Sequence, residues 1–376
     1  MQQNSIYIEA MEMVCSAGLN KEEIFSSLLE GKTGIKQHSD FLSDGTRCAI
    51  GRIDSEHTFN ELLIQSIQTL LDNATLKNFH NTFLAVGTSV GGMAWAENRF
   101  IEDEGSLTKI ELKKQSIHAV AHTLKHSFNF KDAITFSTAC TSSSNALVFA
   151  KELLDAGAYE HVLVVGADEI SLTTVNGFNA LGVLSSEGSK PFDSKRTGMN
   201  VSEGIGAILL SHQKNHRTSD IQLVGTGCSS DAHNITNPHP EGAGAKMAMQ
   251  EALNNAKIDA SQIDYINAHG TGTMANDTAE GKAVQALFEH KPYLGSTKSI
   301  TGHTLGACGV IELIITAMAM QQEVVPANFN LTEQELNELN LPNKNLSHKI
   351  NYALCNAFAF GGNNTSIVLK RVTHEN

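Results

Sequence analysis

The stretch AITFSTACTSSSNAL, residues 133–147, decides the fold and contains the residue on which the chemistry depends. Residues 133–136 predict a short buried strand, and from Ala146 onward the apolar spacing becomes helical. Cys140 therefore lies at a strand-to-helix turn, where unpaired backbone N–H groups and the helix dipole stabilise a thiolate. A nucleophilic cysteine would be placed at such a turn. A lone cysteine after a strand is more often a core residue, so other segments must decide between these interpretations.

Composition narrows the class of protein. The 376 residues are 41% hydrophobic and 18% charged, which is typical of a globular chain with a large core. A net charge of −13 argues against nucleic acid or an anionic membrane as the main partner. An acidic carrier protein could dock, but only on a local basic patch. The six cysteines are scattered without metal spacing, so we expect a reduced protein with no metal and no cofactor.

The chain shows no targeting segment. Its N-terminus lacks a basic region followed by an apolar core, so no signal peptide is expected. The most apolar helix candidate, residues 310–320, contains Glu312 and is expected to be too short to cross a bilayer. We therefore expect a cytoplasmic protein.

Strand-like and helix-like segments alternate along the chain, which indicates an α/β architecture. The clearest strands are predicted at 82–86, 161–165, 207–210 and 265–268, and the clearest helices at 58–71, 117–126 and 246–256. A weak internal repeat aligns Cys140-Thr141 with His303-Thr304, each followed by small and apolar residues. This repeat predicts two duplicated α/β halves, residues 1–215 with the cysteine and residues 216–376 with the histidines.

Three further segments share the small, polar character of the Cys140 turn. They are NAHGTGT at 267–273, STKSITGHTLGA at 296–307 and NAFAFGGNN at 356–364. The first follows a strand-like run and the last precedes one. In an open α/β sheet, ligands gather at the carboxyl ends of strands. We therefore expect turns from both halves to converge on one site.

A cysteine with two histidines is suited to acyl transfer. The thiolate can attack a thioester and hold the acyl group covalently. The imidazole N–H groups of His269 and His303 can stabilise an oxygen that becomes negative, as in an enolate. The glycines of these turns let a thin, linear substrate approach the backbone, and Thr271 and Thr273 could bind a pantetheine arm.

In combination, the motifs resemble the β-ketoacyl-acyl-carrier-protein synthases, the elongating type I/II condensing enzymes of the thiolase superfamily. The resemblance covers roughly residues 80–370 and rests on TACTS at 138–142, NAHGTGT at 267–273, TKSITGH at 297–303 and FAFGG at 358–362, with KPFDSKRTG at 190–198 and SSDAH at 229–233 in support. It implies a thiolase-like duplicated five-layer αβαβα fold. It also implies an active site between the halves and a dimer built across a central strand.

The resemblance implies a reaction in which Cys140 takes an acyl chain from its carrier protein. Malonyl carrier protein then loses carbon dioxide with the assistance of His269 and His303, and the carbanion attacks the acyl-cysteine. The product is a 3-oxoacyl chain two carbons longer. The class is thus an acyltransferase of fatty-acid or related lipid biosynthesis, a ketosynthase.

The resemblance also implies supporting roles. The backbone N–H groups of Cys140 and Phe360 would form the oxyanion hole, and Phe360 matches the gating aromatic of the family. Phe358 would support the site as a neighbouring aromatic. Lys298 would order the histidines electrostatically, with Glu312 as the anchor of that network.

Acyl carrier protein is the implied partner, together with a second ketosynthase-like subunit in a homodimer or heterodimer. Lys195 and Arg196 are the basic residues that we expect to dock the carrier, Arg196 because of its motif. Other basic candidates are Lys109, Lys113, Lys114 and Lys125.

Several positions depart from the family pattern. The usual Thr-Gly-x-Gly turn is replaced by EAME at 9–12, Met274 stands where proline is common, and Asn200 and Ser202 lie in a usually glycine-rich stretch. These departures suggest a specialised polyene or polyketide-like pathway. Two alternatives stay open: a coenzyme-A-dependent thiolase or starter-type synthase, and a non-catalytic chain-length subunit of a heterodimer. Such a subunit typically lacks the cysteine, so Cys140 argues against it.

Overall fold

The computed structural model describes residues 5–74, 76, 79–212 and 220–372. The strands before the gap at 213–219 are β1 (Ile6–Cys15), β2 (Lys36–His38), β3 (Cys48–Ile50), β4 (Thr82–Gly87), β5 (Ala133–Phe136), β6 (His161–Asp168) and β7 (Gly204–Ser211). The helices of this half are α1 (Lys21–Glu30), α2 (Phe59–Asn73), α3 (Met93–Glu102), α4 (Leu112–Gln115), α5 (Ala119–Phe128), α6 (Ser142–Asp155) and α7 (Leu172–Ala180).

The second half follows the same plan. Its strands are β8 (Ile221–Ser230), β9 (Tyr265–Asn267), β10 (Tyr293–Gly295), β11 (Val324–Val325), β12 (Leu346–Ser347), β13 (Tyr352–Phe358) and β14 (Asn363–Arg371). Its helices are α8 (Ala243–Ala256), α9 (Met274–Leu287), α10 (Lys298–Thr301) and α11 (Cys308–Gln322), with 3-10 turns at Ala260–Gln262 and Leu305–Ala307.

The sheet order reveals the duplication. The strands pair in the order β10-β9-β13-β14-β8-β1-β7-β6-β4-β5, and the two half-sheets join through a short β1–β8 pairing. Numbered within each half, the five main strands have the same order, 3-2-4-5-1. In each half the second strand runs parallel to the third and the fourth, and the fifth runs antiparallel to its neighbours.

The hydrophobic clusters define five layers. Helices α6 and α11 pack in the largest cluster, between the inner faces of the two half-sheets. Helices α2 and α5 cover the outer face of the first half, and α8 and α9 cover that of the second. The architecture is the predicted thiolase-like αβαβα fold. The predicted boundary between residues 215 and 216 lies outside the described residues, so the division into 1–215 and 216–376 is retained as a proposal.

Helix α11 is the central helix of the molecule. Together with the preceding 3-10 turn it forms a helical segment, Leu305–Gln322, of 18 residues, longer than the predicted 310–320 and by length and composition able to cross a membrane. However, 89% of this segment is buried inside the protein. Its apolar character is thus the character of a core helix.

Local packing explains why the segment EAME at 9–12 departs from the family's usual turn. No turn follows Ile8; instead β1 continues to Cys15 with a bulge between Ile8 and Ala10. The buried Glu9 carboxylate contacts Ser211 and lies 3.6 Å from His161 Nε2. A buried carboxylate needs such partners, because an isolated charge in the core is costly.

Asn200 has a structural explanation as well. Its side-chain Nδ2 donates to the carbonyl oxygens of Ala49, Ser185 and Glu187 at 2.8–3.1 Å, and its Oδ1 accepts from Ser189 N–H at 2.6 Å. The residue therefore fastens the loop at 185–189 against β3.

Candidate active site

Cys140 lies in a strained turn between β5 and α6. Ala139, immediately before it, has a φ of 53°, a left-handed conformation that is unfavourable for a residue with a Cβ. The turn is held by local hydrogen bonds: Ser142 Oγ donates to the Ala139 carbonyl at 2.6 Å, and Asn145 Nδ2 donates to Thr138 Oγ1 at 2.9 Å. The serines and threonines of the motif thus fix the backbone that presents the thiol.

The predicted histidines converge on this thiol. His303 Nε2 lies 3.1 Å from Cys140 Sγ, and the rings of His269 and His303 are edge to face with centroids 5.3 Å apart. The turns that carry Cys140, His269 and Lys298 follow the carboxyl ends of β5, β9 and β10. The chain thus brings residues from both halves to one site, as expected for an open α/β sheet.

The hydrogen bonds of His303 assign its tautomer. The backbone N–H of Leu305 donates to His303 Nδ1 at 3.2 Å, so the neutral ring carries its proton on Nε2. That N–H faces Cys140 Sγ. Burial lowers the pKa of His303 well below its ordinary value, and the Lys298 ammonium lowers it further. The ring is therefore a neutral hydrogen-bond donor at physiological pH.

Lys298 is the cation behind the histidines. Its Nζ donates to the carbonyl oxygen of His269 at 2.6 Å and pairs with the Glu312 carboxylate; both side chains are buried. Burial opposes its charge, but Glu312, together with Cys308 and Glu280, outweighs burial and raises the pKa of Lys298. Burial, then Lys298, then His303 lower the pKa of His269. Burial first, and the Lys298 charge second, thus favour the neutral form of both histidines.

The environment of the Cys140 sulfur favours the protonated thiol. Burial raises the pKa of the Cys140 thiol to about 11, while the Lys298 charge and hydrogen bonds from the backbone N–H groups of Cys140 and Phe360 lower it. These two N–H groups are the ones predicted for the oxyanion hole. Both N–H groups point at the Cys140 sulfur.

A cavity of about 250 Å³ leads to this constellation. Thr271 and Thr273 line it, with their hydroxyl oxygens 2.9 Å apart. The ring centroids of Phe358 and His269 are 6.1 Å apart. Phe360 is half-buried, and its ring centroid lies 6.1 Å from that of Phe178. Phe178 was not predicted, because it lies on α7, far in sequence from the motifs.

Two buried acids that support the His269 turn were also not predicted. Glu280 accepts hydrogen bonds from the backbone N–H groups of His269 and Gly270 at 2.9 and 2.8 Å. Asp277 accepts from Gly272 N–H at 3.1 Å. Burial raises the pKa of Glu280 to about 7, although these N–H groups lower it. The sequence signal that could have revealed them is a pair of acids, spaced three residues apart, on the helix after the 267–273 motif.

Asp168 joins the two halves at the site. Its carboxylate accepts hydrogen bonds from the backbone N–H groups of Ser89 and Val90 in one half and from Gly306 N–H, at 2.6 Å, in the other. Ser89 Oγ in turn donates to the Ala139 carbonyl at 3.0 Å. The carboxylate thus connects the turn after β4 with the segments that follow His303 and precede Cys140.

The docking prediction is wrong for Arg196. Its side chain is fully buried, 2.6 Å from a Glu335 carboxylate oxygen and hydrogen-bonded to the carbonyl oxygens of Thr273 and Met274. The guanidinium therefore fastens the 190–198 motif to the start of α9 and is not available to a partner. Lys195 is exposed and paired with Glu333 at 3.1 Å.

Among the residues that the structure describes, two sets of side chains place metal-ligating atoms within 4.8 Å of one another: Cys140, His269 and His303, and His269, Cys308 and Glu312. The first set has the soft ligands that suit Zn²⁺. An ion held there would occupy the atoms that acyl transfer needs. In the second set, Glu312 is already paired with Lys298.

Two duplicated α/β halves with a buried cysteine between two histidines define a thiolase-type condensing enzyme. The chain matches the family models for the beta-ketoacyl synthase N-terminal domain over residues 3–216 and C-terminal domain over residues 221–332. It therefore belongs to the beta-ketoacyl synthase family, acyltransferases that act as 3-oxoacyl-acyl-carrier-protein synthases. The resemblance inferred from the motifs is confirmed.

Individual relatives agree with this assignment. The chain is 31% identical to 3-oxoacyl-acyl-carrier-protein synthase 2 of Vibrio harveyi, over 99% of this chain and 100% of that protein. Among solved structures, it is similar to a chain in the complex of the ketosynthase ApeO with its chain length factor ApeC from Xenorhabdus doucetiae, with a TM-score of 0.89, 30% identity and 99% coverage of both chains. A beta-ketoacyl synthase from Burkholderia phymatum gives a TM-score of 0.89 and 27% identity, covering 98% of this chain and 100% of the other.

Proposed function

We propose that this condensing enzyme holds its acyl chain as a thioester on Cys140 and extends it by two carbons with malonyl carrier protein. The observation that supports this most strongly is the 3.1 Å separation of Cys140 Sγ and His303 Nε2, with the His269 ring beside them. One nucleophile and two neutral donors in one cavity suit the two successive steps of the reaction.

In the first step, Cys140 Sγ attacks the carbonyl carbon of the acyl-carrier thioester. A C–S bond forms, and the oxygen, now negative, accepts hydrogen bonds from the N–H groups of Cys140 and Phe360. The bond to the pantetheine sulfur then breaks, and the released thiol takes the proton that the cysteine has lost.

In the second step, the malonyl thioester binds beside the acyl-cysteine and loses carbon dioxide. The electron pair of the broken C–C bond forms an enolate, whose oxygen accepts hydrogen bonds from His269 and His303. The α-carbon attacks the acyl carbonyl, a C–C bond forms, and the Cys140 thiolate leaves. One proton returns it to the thiol.

The remaining predicted residues have supporting roles in this proposal. Lys298, anchored by Glu312, adds to burial in favouring neutral histidines and fixes the His269 backbone. Thr271 and Thr273 bind the pantetheine arm, Phe360 gates the cavity, and Phe358 packs against His269. One variant tests the division of labour: His303→Ala should still become acylated on Cys140 but release carbon dioxide from malonyl carrier protein at least ~100-fold more slowly. A fall in the rate of Cys140 acylation as large as the fall in carbon dioxide release would contradict this division of roles.

We also propose that the enzyme acts in a specialised polyene or polyketide-like pathway with a ketosynthase-like second subunit. The 30% identity to a chain of a ketosynthase–chain length factor complex supports a heterodimer as one form of this partnership. The presence of Cys140 with both histidines supports the catalytic rather than the chain-length role. Native mass measurement of the protein expressed alone and with a candidate ketosynthase-like chain distinguishes a homodimer from a heterodimer.

A cytoplasmic location is part of the proposal. The six cysteines are free thiols, as suits a reducing compartment. One fungal relative, 32% identical over 85% of this chain, is described as mitochondrial. Fractionation of cells that express the tagged full-length protein, with markers for each compartment, tests the location directly.

A further inference from the structure

We infer that Asp168 is a positioning residue for the condensation, which holds the turn after His303 in place against the turn before Cys140. This role rests on the proposed function, because the two turns carry the two groups that act in its successive steps. Asp168 lies outside the cavity lining. It therefore acts through the backbone that carries the reacting groups and not by contact with the substrate.

Asp168 is a carboxylate in the core, and donors from both halves of the chain surround it. It is the last residue of β6 and is 1% exposed. Its partners are one hydroxyl and three backbone N–H groups, those of Thr88, Ser89, Val90 and Gly306. Burial raises the pKa of Asp168, and these hydrogen bonds lower it. Because an unsatisfied buried carboxylate is costly, the charge favours the arrangement in which all four donors stay in place.

The two oxygens of Asp168 have different partners. Oδ1 accepts from the Thr88 hydroxyl and from the N–H groups of Ser89 and Val90, both at 3.0 Å, all in the turn after β4. Oδ2 accepts from Ser89 N–H at 2.8 Å and from Gly306 N–H at 2.6 Å. The fit at Gly306 is close, since a Cβ there would lie 2.7 Å from Oδ2 and 2.6 Å from Ser89 N. Oδ2 is thus the atom that joins the two halves.

On the cysteine side, Ser89 transmits the position of Asp168. Its backbone N–H is held by the carboxylate, and its hydroxyl donates to the Ala139 carbonyl at 3.0 Å. Ala139 has a φ of 53° and directly precedes Cys140. A residue with a Cβ keeps this left-handed conformation only where its surroundings fix it, and Ser89 is one of the groups that do so.

On the histidine side, Gly306 transmits the position of Asp168. Leu305, directly before it, also has a left-handed conformation, with a φ of 52°. The Leu305 N–H donates to His303 Nδ1 at 3.2 Å, which leaves the ring proton on Nε2, where the enolate needs a donor. If Gly306 were released, Leu305 would relax and its N–H would turn away from His303. The proton could then move to Nδ1, and Nε2 would no longer donate.

The variant Asp168→Asn tests this account. It keeps the size of the side chain but replaces one acceptor oxygen by an NH2 group. The amide oxygen should take the place of Oδ1, which has more donors, so that the NH2 group faces the Gly306 N–H. Release of carbon dioxide from malonyl carrier protein should fall by about thirtyfold, whereas acylation of Cys140 by octanoyl-N-acetylcysteamine should change by less than about threefold.

A spectroscopic measurement separates positioning from general destabilisation. The nitrogen chemical shifts of isotope-labelled histidine side chains report which ring nitrogen carries the proton. Wild type should show His303 protonated on Nε2 alone, and Asp168→Asn should show a mixture of both tautomers. The variant His303→Asn identifies the signal, because it lacks that ring.

Two milder or independent variants test each side separately. Ser89→Ala keeps the backbone N–H groups on Asp168 but removes the hydroxyl bond to Ala139, so it should slow acylation about fivefold and leave carbon dioxide release within about twofold. Gly306→Ala displaces the Gly306 N–H from an unchanged carboxylate and should reproduce the selective loss of carbon dioxide release and the mixture of tautomers. These two variants decide the matter if Asp168→Asn does not fold.

Asp264→Asn is the matched control. The Asp264 carboxylate also accepts from two backbone N–H groups, those of Asn351 at 2.7 Å and Tyr352 at 3.1 Å, but it precedes β9, at the end of the strand away from His269. Both rates and the His303 tautomer should match wild type. Equal falls of both rates in Asp168→Asn, or a wild-type tautomer in Asp168→Asn and Gly306→Ala, would overturn the inference. Failure of wild type to become acylated or to release carbon dioxide would instead overturn the proposed function.

Discussion

At Cys140, opposing influences set the state of the sulfur. Burial raises the pKa of the thiol to about 11, and the Lys298 charge with two backbone N–H groups lowers it only partly. The resting enzyme therefore holds a thiol. In the proposed mechanism the thiolate forms only as the thioester approaches, and a buried thiol is protected from oxidation between turnovers.

The buried histidines make stability depend on pH. Burial lowers the pKa of His269 and His303 in the folded state below the unfolded value, and the positive charge of Lys298 lowers it further. A base with a depressed folded pKa contributes stability above the unfolded pKa, about 6.5, and loses it as the pH falls, by about 1.4 kcal/mol per pH unit for each histidine. Between pH 7.5 and 5, wild type should thus lose about 3–4 kcal/mol relative to His269→Asn/His303→Asn.

Urea unfolding at both pH values checks this expectation, with exposed His122→Asn as the control. Equal loss of stability in wild type and the double variant would show that the histidines are not held neutral.

The sequence predicted the reacting groups because each lies in a short motif with distinctive neighbours. The structure brings Cys140, His269, His303 and Lys298 together, although their roles stay proposals. Asp168 was not predicted, because the groups it binds are backbone N–H groups in turns far away in sequence, and no side-chain pattern marks such a donor. Glu280 was missed although it lies only ten residues after Gly270, whose N–H it binds.

At the scale of elements, the close approach of α6 and α11 positions the site. A Cβ on Gly309 would lie 2.0 Å from Ser144 Oγ and 2.9 Å from Ser144 N. Gly309→Ala should therefore lower the free energy of unfolding by about 2 kcal/mol, because the crossing is overpacked. The displaced α6 should also slow acylation of Cys140.

Gly177→Ala is the matched control, since Gly177 lies within α7 and a Cβ there meets nothing within 4 Å. It should be neutral or stabilise by up to about 1 kcal/mol, through helix propensity. Chemical unfolding of both variants gives the comparison, and equal effects would contradict the packing argument.

The motif at 190–198 shows where sequence interpretation failed at this scale. A surface arginine and a buried one have the same local sequence, and only the distant Glu335 and the start of α9 decide between them. Arg196→Ala should lower the free energy of unfolding by about 3 kcal/mol, because it leaves Asp277 and Glu335 without their cation. Lys195→Ala should stay within about 0.5 kcal/mol of wild type in the same unfolding measurement. Equal values would contradict the burial of Arg196.

At the scale of the whole molecule, the duplicated topology was predictable in kind from the weak repeat, but the strand order was not. Pairing of strands far apart in sequence depends on packing that no local pattern encodes. The order also leaves β5 at one edge of the sheet, next to the nucleophile turn, with half-buried residues along its length.

An edge strand of this kind offers unpaired backbone groups to a second chain. Sedimentation of the purified protein should therefore give twice the chain mass of 40.5 kDa. A monomer at micromolar concentration would contradict a homodimer and leave the heterodimer with a ketosynthase-like subunit.

The central claim is that Cys140 carries the acyl chain. The test incubates purified wild type, Cys140→Ala and Cys308→Ala with carrier protein that is loaded with an acyl chain. The intact mass of each protein is then followed. Cys308 is the matched control, because it is also buried and its Sγ lies 3.2 Å from the Cys140 carbonyl. The account predicts one acyl adduct on wild type and on Cys308→Ala, and none on Cys140→Ala. An adduct that persists on Cys140→Ala, or its absence from wild type under conditions that load a control synthase, would contradict it.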